Sequence, residues 1–340
     1  MTFIFFILVK VKLKLWKFEA HIVYLKFVFY KKICLPNVNA ETKKTEVLNK
    51  LRALVVFNPV AGSGKKLHIV RSIEKHLDKK QFDYRLIFTD YAGHGYEIAL
   101  DAANNGYNIV VGVGGDGLLN EIARGLVNSD TAMGVIPTGS GNGLARHLKI
   151  PLKPVKAIDV LKHYKTIMMD TIIINDERLF CNIAGTGFDA FVAQKFAGSY
   201  KRGFVTYMRI ILKEFIKFRP GNYHLIVDDK EFFPEATMIS FANSSQFGNN
   251  AIIAPMASVT DGKLDICIMN KFRWYQAPYL GIMLLAGRID KTSFMTYLKA
   301  ADVKIKLPDG EPCHLDGDPF NLGNLLHIKV NKASLKVVVP

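Results

Sequence analysis

Three glycine-rich stretches and two acidic turns hold most of the groups in this sequence that could do chemistry. Gly62-Ser63-Gly64-Lys65 has the outline of a phosphate loop. The first glycine that a Walker motif requires falls at Pro59, however, and Lys66 stands where a Ser or Thr should meet magnesium, so that reading fails. Gly112-Val-Gly-Gly-Asp-Gly117 has the G-x-G-x-x-G spacing of a dinucleotide turn. The apolar run Met133 to Pro137 lies where the acidic ribose ligand of such a site belongs, about 20 residues on. Asp116 sits among the glycines, and a carboxylate beside a pyrophosphate repels it unless a cation lies between them. An NAD site would avoid that residue, whereas an ATP-magnesium site would use it. The third stretch is Thr138-Gly-Ser-Gly141. The acidic turns are Asp261-Gly262 and Asp316-Gly-Asp318, each of which, taken alone, reads as a plain turn between strands. His94, His147 and His314 neighbour these segments but lack carboxylates at useful spacing, so none is assigned to catalysis.

The elements around these loops read clearly from Arg52 onward. Ala53 to Phe57, Tyr84 to Thr89, Asn108 to Val113 and Met133 to Pro137 are short apolar runs, each ending in a turn-rich loop and each followed by a helical pattern. The stripe Leu67, Val70, Ile73 and Leu77 marks the first helix, over 65–79. Strands alternating with helices predict a parallel sheet covered on both faces, with ligands at the loops leaving the strand ends. After about Met168 the rhythm changes to strands at 172–174, 179–183, 223–227, 238–242, 264–269, 303–307 and 325–330. Helical stretches interrupt them at 190–218 and 274–287. The division follows: an extension or linker over 1–50, an α/β domain over 51–168 that the C-terminal strand 328–340 could complete, and a β-rich domain over 169–327. The active site is expected in the cleft between the last two.

The chain has 340 residues and a formal charge of +15, with 49% hydrophobic and 22% charged residues, which suits globular domains and excludes wholesale disorder. Ten lysines and three glutamates in the first 50 residues supply +7 of that charge, leaving +8 for the rest. Such a surplus suits phosphates or an anionic membrane surface more than a dedicated nucleic-acid grip. The leader's apolar run is too short to span a bilayer and lacks a cleavage site for secretion, so its readings are an appended extension or an interfacial anchor. Cys34, Cys181, Cys267 and Cys313 have no paired spacing and read as buried small hydrophobes of a reduced, cytoplasmic protein.

Several blocks together carry a family resemblance. Gly114-Gly-Asp-Gly-Leu-Leu-Asn-Glu121 resembles the GGDG-x-x-NE signature of the diacylglycerol kinase catalytic domain, whose superfamily includes sphingosine kinases and bacterial soluble lipid kinases. Phe57 to Lys65 is similar to its NP-x-x-G loop, Thr89 to His94 to its T-x-x-x-GH segment, and Pro137 to Arg146 to its PxGTGN-x-x-AR segment. Ala184 to Phe188, Thr260 to Asp265 and Leu315 to Asp318 resemble the G-x-GFDA, DDG-x-LD and DGE blocks in the same order. The resemblance implies a phosphofructokinase-like parallel-sheet nucleotide domain, a second β-rich, sandwich-like lipid domain, and ATP-dependent phosphorylation of a lipid hydroxyl. It carries Asn58, Pro59, Gly62, Thr89, Gly115, Asp116, Gly117, Leu118, Leu119, Asn120, Glu121 and Ser140 to the nucleotide, with Asp116 on magnesium. Asp316 becomes the general base, with Asp318 as its alternative or helper. Asp261, flanked by the carbonyls of Ser258 and Lys263, becomes a structural magnesium loop. Lys201, Arg202 and Arg209 are candidates for phosphate or headgroup contact.

Three departures bear on the acceptor. Leu118 replaces a common Thr, Gly143 replaces the Asp of the usual GND, and Asp318 replaces the Glu of DGE. The first two are similar to sphingosine kinases. Those enzymes, however, place an acid after their GF pair to meet an amine, where this chain has Phe191, with Asp189 close by. The acceptor therefore stays open between diacylglycerol-like and sphingoid-like lipids. An NAD kinase and a non-catalytic lipid-binding relative are the competing classes; a GSTAY-like segment is missing for the first, and Asp116, Glu121 and Asp316 speak against the second. The implied setting is cytoplasmic and peripheral to an anionic membrane, without nucleic acid and compatible with a homodimer.

Overall fold

The structure, a computed structural model, describes residues 50–59, 66–199, 204–321 and 323–340. Strands β1 (Leu51–Phe57), β2 (Phe82–Phe88), β3 (Ile109–Gly114) and β4 (Ala132–Pro137) lie parallel in the order β2-β1-β3-β4. Between and after them run α1 (Lys66–His76), α2 (His94–Asn104), α3 (Asp116–Leu126), α4 (Gly143–His147) and α5 (Pro154–His163). Val55, Val56, Val110, Val111 and Ile136 have almost no accessible surface. Helices cover these strands on both faces, and that is why they read as unbroken apolar runs without alternation.

The remaining strands form the rest of that sheet and a second one. They are β5 (Thr166–Ile174), β6 (Arg178–Phe180), β7 (Ile183–Gly187), β8 (Gly221–Asn222), β9 (His224–Val227), β10 (Lys230–Phe232), β11 (Glu235–Ala242), β12 (Leu264–Asn270), β13 (Met295–Ala300), β14 (Asp302–Lys306), β15 (Cys313–Leu315), β16 (Asp318–Phe320) and β17 (Leu325–Val338). Strand β17 joins β4 in parallel through Val337 opposite Met133, and β14, β9 and β10 extend the first sheet beyond it. The second sheet is antiparallel, in the order β13-β12-β11-β7-β15-β16. Helix α6 (Phe188–Ala197) follows β7, α7 (Phe204–Phe215) comes next, and α8 (Ala277–Leu285) precedes β13. The molecule is thus an α/β fold with a parallel nucleotide-type sheet and a second β-rich part.

Two differences from the expected elements matter for the site. The strand expected over 179–183 is broken at Cys181 and Asn182, whose N–H groups turn to the carboxylate of Asp316. The helix expected over 190–218 is two helices. Cys181, Cys267 and Cys313 are buried thiols, as expected; Cys34 lies outside the described residues.

Candidate active site

Two glycine loops meet where β3 and β4 end. After β3 the chain passes Gly115 in an extended conformation and enters α3 at Asp116. After β4, Thr138 N–H donates to the Gly114 carbonyl at 2.8 Å, and the chain reaches Gly139. A Cβ on Gly139 would lie 2.5 Å from the Cα of Gly115, so the loops touch backbone to backbone and Gly139 admits no side chain. Asn142, at φ 52°, locks the second loop: its Oδ1 accepts from Gly139 N–H at 2.9 Å and its Nδ2 donates to the Gly139 carbonyl at 2.8 Å. The amides of Asp116, Gly117 and Leu118 precede the first intrahelical bond of α3, from Leu119 N–H to the Gly115 carbonyl. Such amides are where a helix receives phosphate oxygens.

Asp116 ties the two loops together. Its Oδ2 accepts from Gly143 N–H at 3.2 Å and its Oδ1 from Leu144 N–H at 3.3 Å, at the start of α4. Burial pushes this carboxyl above the usual carboxylate range, against the pull of the amides. Gly143 has a steric reason: a Cβ there would lie 2.5 Å from Asn182 Nδ2 and 2.9 Å from the Gln246 carbonyl oxygen. The space an aspartate would need is filled by the second sheet's own loops.

The acidic hairpin reaches the same place. Asp316 (φ 50°) and Gly317 (φ 90°) connect β15 to β16, and positive φ at both central residues is what a type I′ turn needs and what Asp-Gly supplies. Asp316 Oδ1 accepts from Asn182 N–H at 2.9 Å and Ile183 N–H at 3.0 Å. Its Oδ2 accepts from Asn120 Nδ2 at 2.8 Å and Cys181 N–H at 3.2 Å. Desolvation outweighs these four donors and lifts the Asp316 carboxyl to about 6, with the negative charge of Asp116 adding to the rise. Asp318 is exposed, and its Oδ2 lies 3.6 Å from the point a Cβ on Gly117 would occupy. The hairpin therefore overhangs the start of α3.

The other expected nucleotide residues lie in several different places. Asn58 and Thr89 stand at adjacent strand ends, with Asn58 N–H on the Val113 carbonyl and Thr89 N–H on the Phe57 carbonyl, and Pro59 follows at the same edge. Ser140 is exposed at the tip of the second loop. Gly62, Lys201 and Arg202 lie outside the described residues, and Arg209 is exposed on α7. Leu118 and Leu119 are buried in the core, so only their backbone is available to a ligand. Glu121 points to α2, accepting from Gly93 N–H at 2.8 Å and Gly95 N–H at 2.9 Å. Through those two amides the Glu121 carboxylate holds the GH turn in place.

His314 escaped sequence reasoning. Its Nε2 lies 3.0 Å from Asp189 Oδ2, both groups being buried, and its Nδ1 accepts from Gly317 N–H at 3.4 Å. The partners are 125 residues apart, so no local spacing could reveal the pair. Asp189 also accepts from Ala190 N–H and Ser240 Oγ.

Residues 52–174 match the family described as diacylglycerol kinase catalytic domain. Residues 182–339 match the family described as YegS C-terminal NAD kinase beta sandwich-like domain. Residues 52–174 thus form a diacylglycerol kinase catalytic domain, and residues 182–339 a C-terminal domain of the YegS type. It is 27% identical over 273 residues to the diacylglycerol kinase of Bacillus subtilis, covering 78% of this chain and 89% of that protein. It is 29% identical over 233 residues to "Probable lipid kinase YegS-like" of Chromohalobacter salexigens, covering 67% and 75%. A solved diacylglycerol kinase structure from Bacillus anthracis shares the fold, with a TM-score of 0.66 at 16% identity over 86% of this chain and 98% of that one.

In this lipid kinase the expected metal loop is built differently. Asp261 Oδ1 accepts from Lys263 N–H at 3.0 Å, and its Oδ2 accepts from the ammonium of Lys299 at 3.0 Å. Ser258 bonds through its hydroxyl to Thr260. Among the described residues no group of three or more His, Cys, Asp or Glu side chains is placed to hold a metal ion. The residues present do not fit a resident cation at Asp261, because a lysine already balances the carboxylate.

Proposed function

We propose that this lipid kinase transfers the γ-phosphoryl group of ATP to the hydroxyl of a diacylglycerol-like lipid. The observation that carries the reading is the overhang of the Asp316-Gly317-Asp318 hairpin above the glycine start of α3. A phosphate on the α3 amides and a hydroxyl under the hairpin would be neighbours, and positioning of that kind supplies most of the catalysis in phosphoryl transfer. The hydroxyl oxygen attacks the γ-phosphorus, the bond from that phosphorus to the bridging oxygen breaks, and ADP leaves. The hydroxyl proton passes to Asp316.

Four donors already fill the Asp316 carboxylate, and three of them are backbone amides that cannot turn away. The fourth is the Asn120 side chain, which also donates to the Leu179 carbonyl; its rotation would free a lone pair on Oδ2 for the incoming hydroxyl. Asp318 offers a second reading as base, supported by its exposed position over Gly117. Asp116 would hold the magnesium that accompanies ATP: its carboxylate, fixed by the Gly143 and Leu144 amides, stands beside the α3 amides that would receive the phosphates. That ion would offset phosphate charge; this chain's own part is to fix the carboxylate between two helix starts.

Two features support the acceptor and its setting. Asp189 is buried and committed to His314, Ser240 and Ala190, so α6 offers no free acid there for a sphingoid ammonium. Trp274, Tyr275, Tyr279, Ile282 and Leu285 are exposed along one segment, flanked by Lys271, Arg273 and Arg288, which suits an anionic lipid surface. No described helix is long and apolar enough to cross a membrane. The test is an incubation of the full chain with γ-labelled ATP, magnesium and vesicles carrying diacylglycerol, a sphingoid base or monoacylglycerol, with NAD in parallel. Label is expected on diacylglycerol. Label confined to the sphingoid base overturns the acceptor assignment, and label on NAD alone overturns the lipid reading.

A further inference from the structure

The loop that the family resemblance marks as a magnesium site contains an ammonium group. Lys299, on β13, lies directly across from Asp265 on β12. Its Nζ donates to Asp261 Oδ2 at 3.0 Å and to the Met256 carbonyl at 3.1 Å, and lies 3.4 Å from Asp265 Oδ1. Two carboxylates and a carbonyl are the donor set of a hard divalent cation. They are also three acceptors for the three N–H bonds of one ammonium. Asp265 is fully buried, its Oδ1 accepts from Tyr297 OH, and its Oδ2 has no hydrogen-bond partner, so the Tyr297 hydroxyl and the nearby positive charge of Lys299 together work against its desolvation. A second lysine stem crosses the loop: Lys332 Cδ lies 3.1 Å from the point a Cβ on Gly262 would occupy.

We infer that Lys299 is a built-in counter-ion that stands in place of a structural divalent cation, so that the 256–265 loop keeps its fold without metal. A divalent ion entering between Asp261, Asp265 and the Met256 carbonyl would have to displace an ammonium tethered by its own strand. It would also sit beside that like charge wherever the lysine went. The kinase then needs metal only with its nucleotide.

The test uses the full chain without nucleotide, in EDTA and in millimolar magnesium or calcium chloride. It reads thermal unfolding together with hydrogen exchange of peptides covering 256–265. In the native protein both readouts should be the same in EDTA and in either metal. Lys299→Met should exchange in that loop on the order of tenfold faster in EDTA, because two carboxylates lose their counter-ion, and added magnesium or calcium should restore protection there. Metal-induced protection of 256–265 in the native chain, abolished by Asp261→Asn, overturns the inference. So does a Lys299→Met variant whose loop exchanges as slowly as the native one in EDTA. Should Lys299→Met fail to fold, the native comparison alone decides. Exchange localised to 256–265 separates this loop from any metal held near Asp116.

Discussion

Asp316 makes opposite demands on stability and activity. Its carboxyl titrates at about 6 in the fold against 3.8 in an open chain, so the folded protein binds this proton more tightly than the unfolded one. The contribution is therefore fully present below about 3.8 and is lost as pH rises through about 6; roughly two pK units correspond to about 3 kcal/mol. A general base has the reverse requirement and works only when ionised. Turnover at saturating ATP should then rise about tenfold per pH unit below 6 and level off above it. Replacing Asp316 by Asn removes the base. It also sets an amide NH2 against two of the four donors, at about 1 kcal/mol for each bond lost. The relief from burying a charge at neutral pH is of similar size, so the Asn variant should stay folded near its native melting temperature. Its turnover should fall roughly hundredfold to ten-thousandfold. Initial rates from pH 5 to 8 on diacylglycerol vesicles, run beside thermal melts, measure both. Native turnover in Asp316→Asn refutes the assignment, as does an acid limb that persists unchanged in its residual activity. A larger loss in Asp318→Asn, with the limb intact in Asp316→Asn, transfers the role to Asp318.

Gly143→Asp, which restores the residue usual in the family, should destabilise this chain by about 2 to 4 kcal/mol. The estimate combines overpacking against the Gln246 backbone with disruption of the bond from Asn182 Nδ2 to the Gln246 carbonyl. A melting temperature unchanged from native would show that the second sheet's loops yield easily there. His314→Leu should lower turnover roughly tenfold to hundredfold with little change in the Michaelis constant, because the hairpin loses the ring that anchors Gly317 to Asp189. His314→Gln, which can still donate and accept, should recover part of that loss; equal kinetics for the Leu variant and the native enzyme would count His314 as packing alone.

Much of the site was legible in sequence wherever the chemistry is local. Glycine is required where Gly139 meets Gly115, and Asp-Gly is the natural occupant of a two-residue hairpin turn. Both constraints act over a few residues and leave a mark on the chain itself. Glu121 and Asp261 show where motif reading stops. Each has the residue type and spacing of a ligand, yet Glu121 is committed to the amides of Gly93 and Gly95, and Asp261 to Lys299. A carboxylate's role depends on which donors reach it, and those donors lie 26 to 38 positions away in the chain.

The sequence by itself determined the alternation of buried strands and helices, the order of the glycine loops and the resemblance to a lipid kinase family, because these depend on periodicity, turn chemistry and local motif. Only the tertiary structure decided the rest. It broke a strand at Cys181 and Asn182 to clamp Asp316, joined His314 to Asp189 across 125 residues, and set Lys299 where a cation was expected. Those outcomes depend on strand register and on which buried charges must be balanced. Both are settled only when distant segments pack together, since burial is what makes an unpaired charge costly.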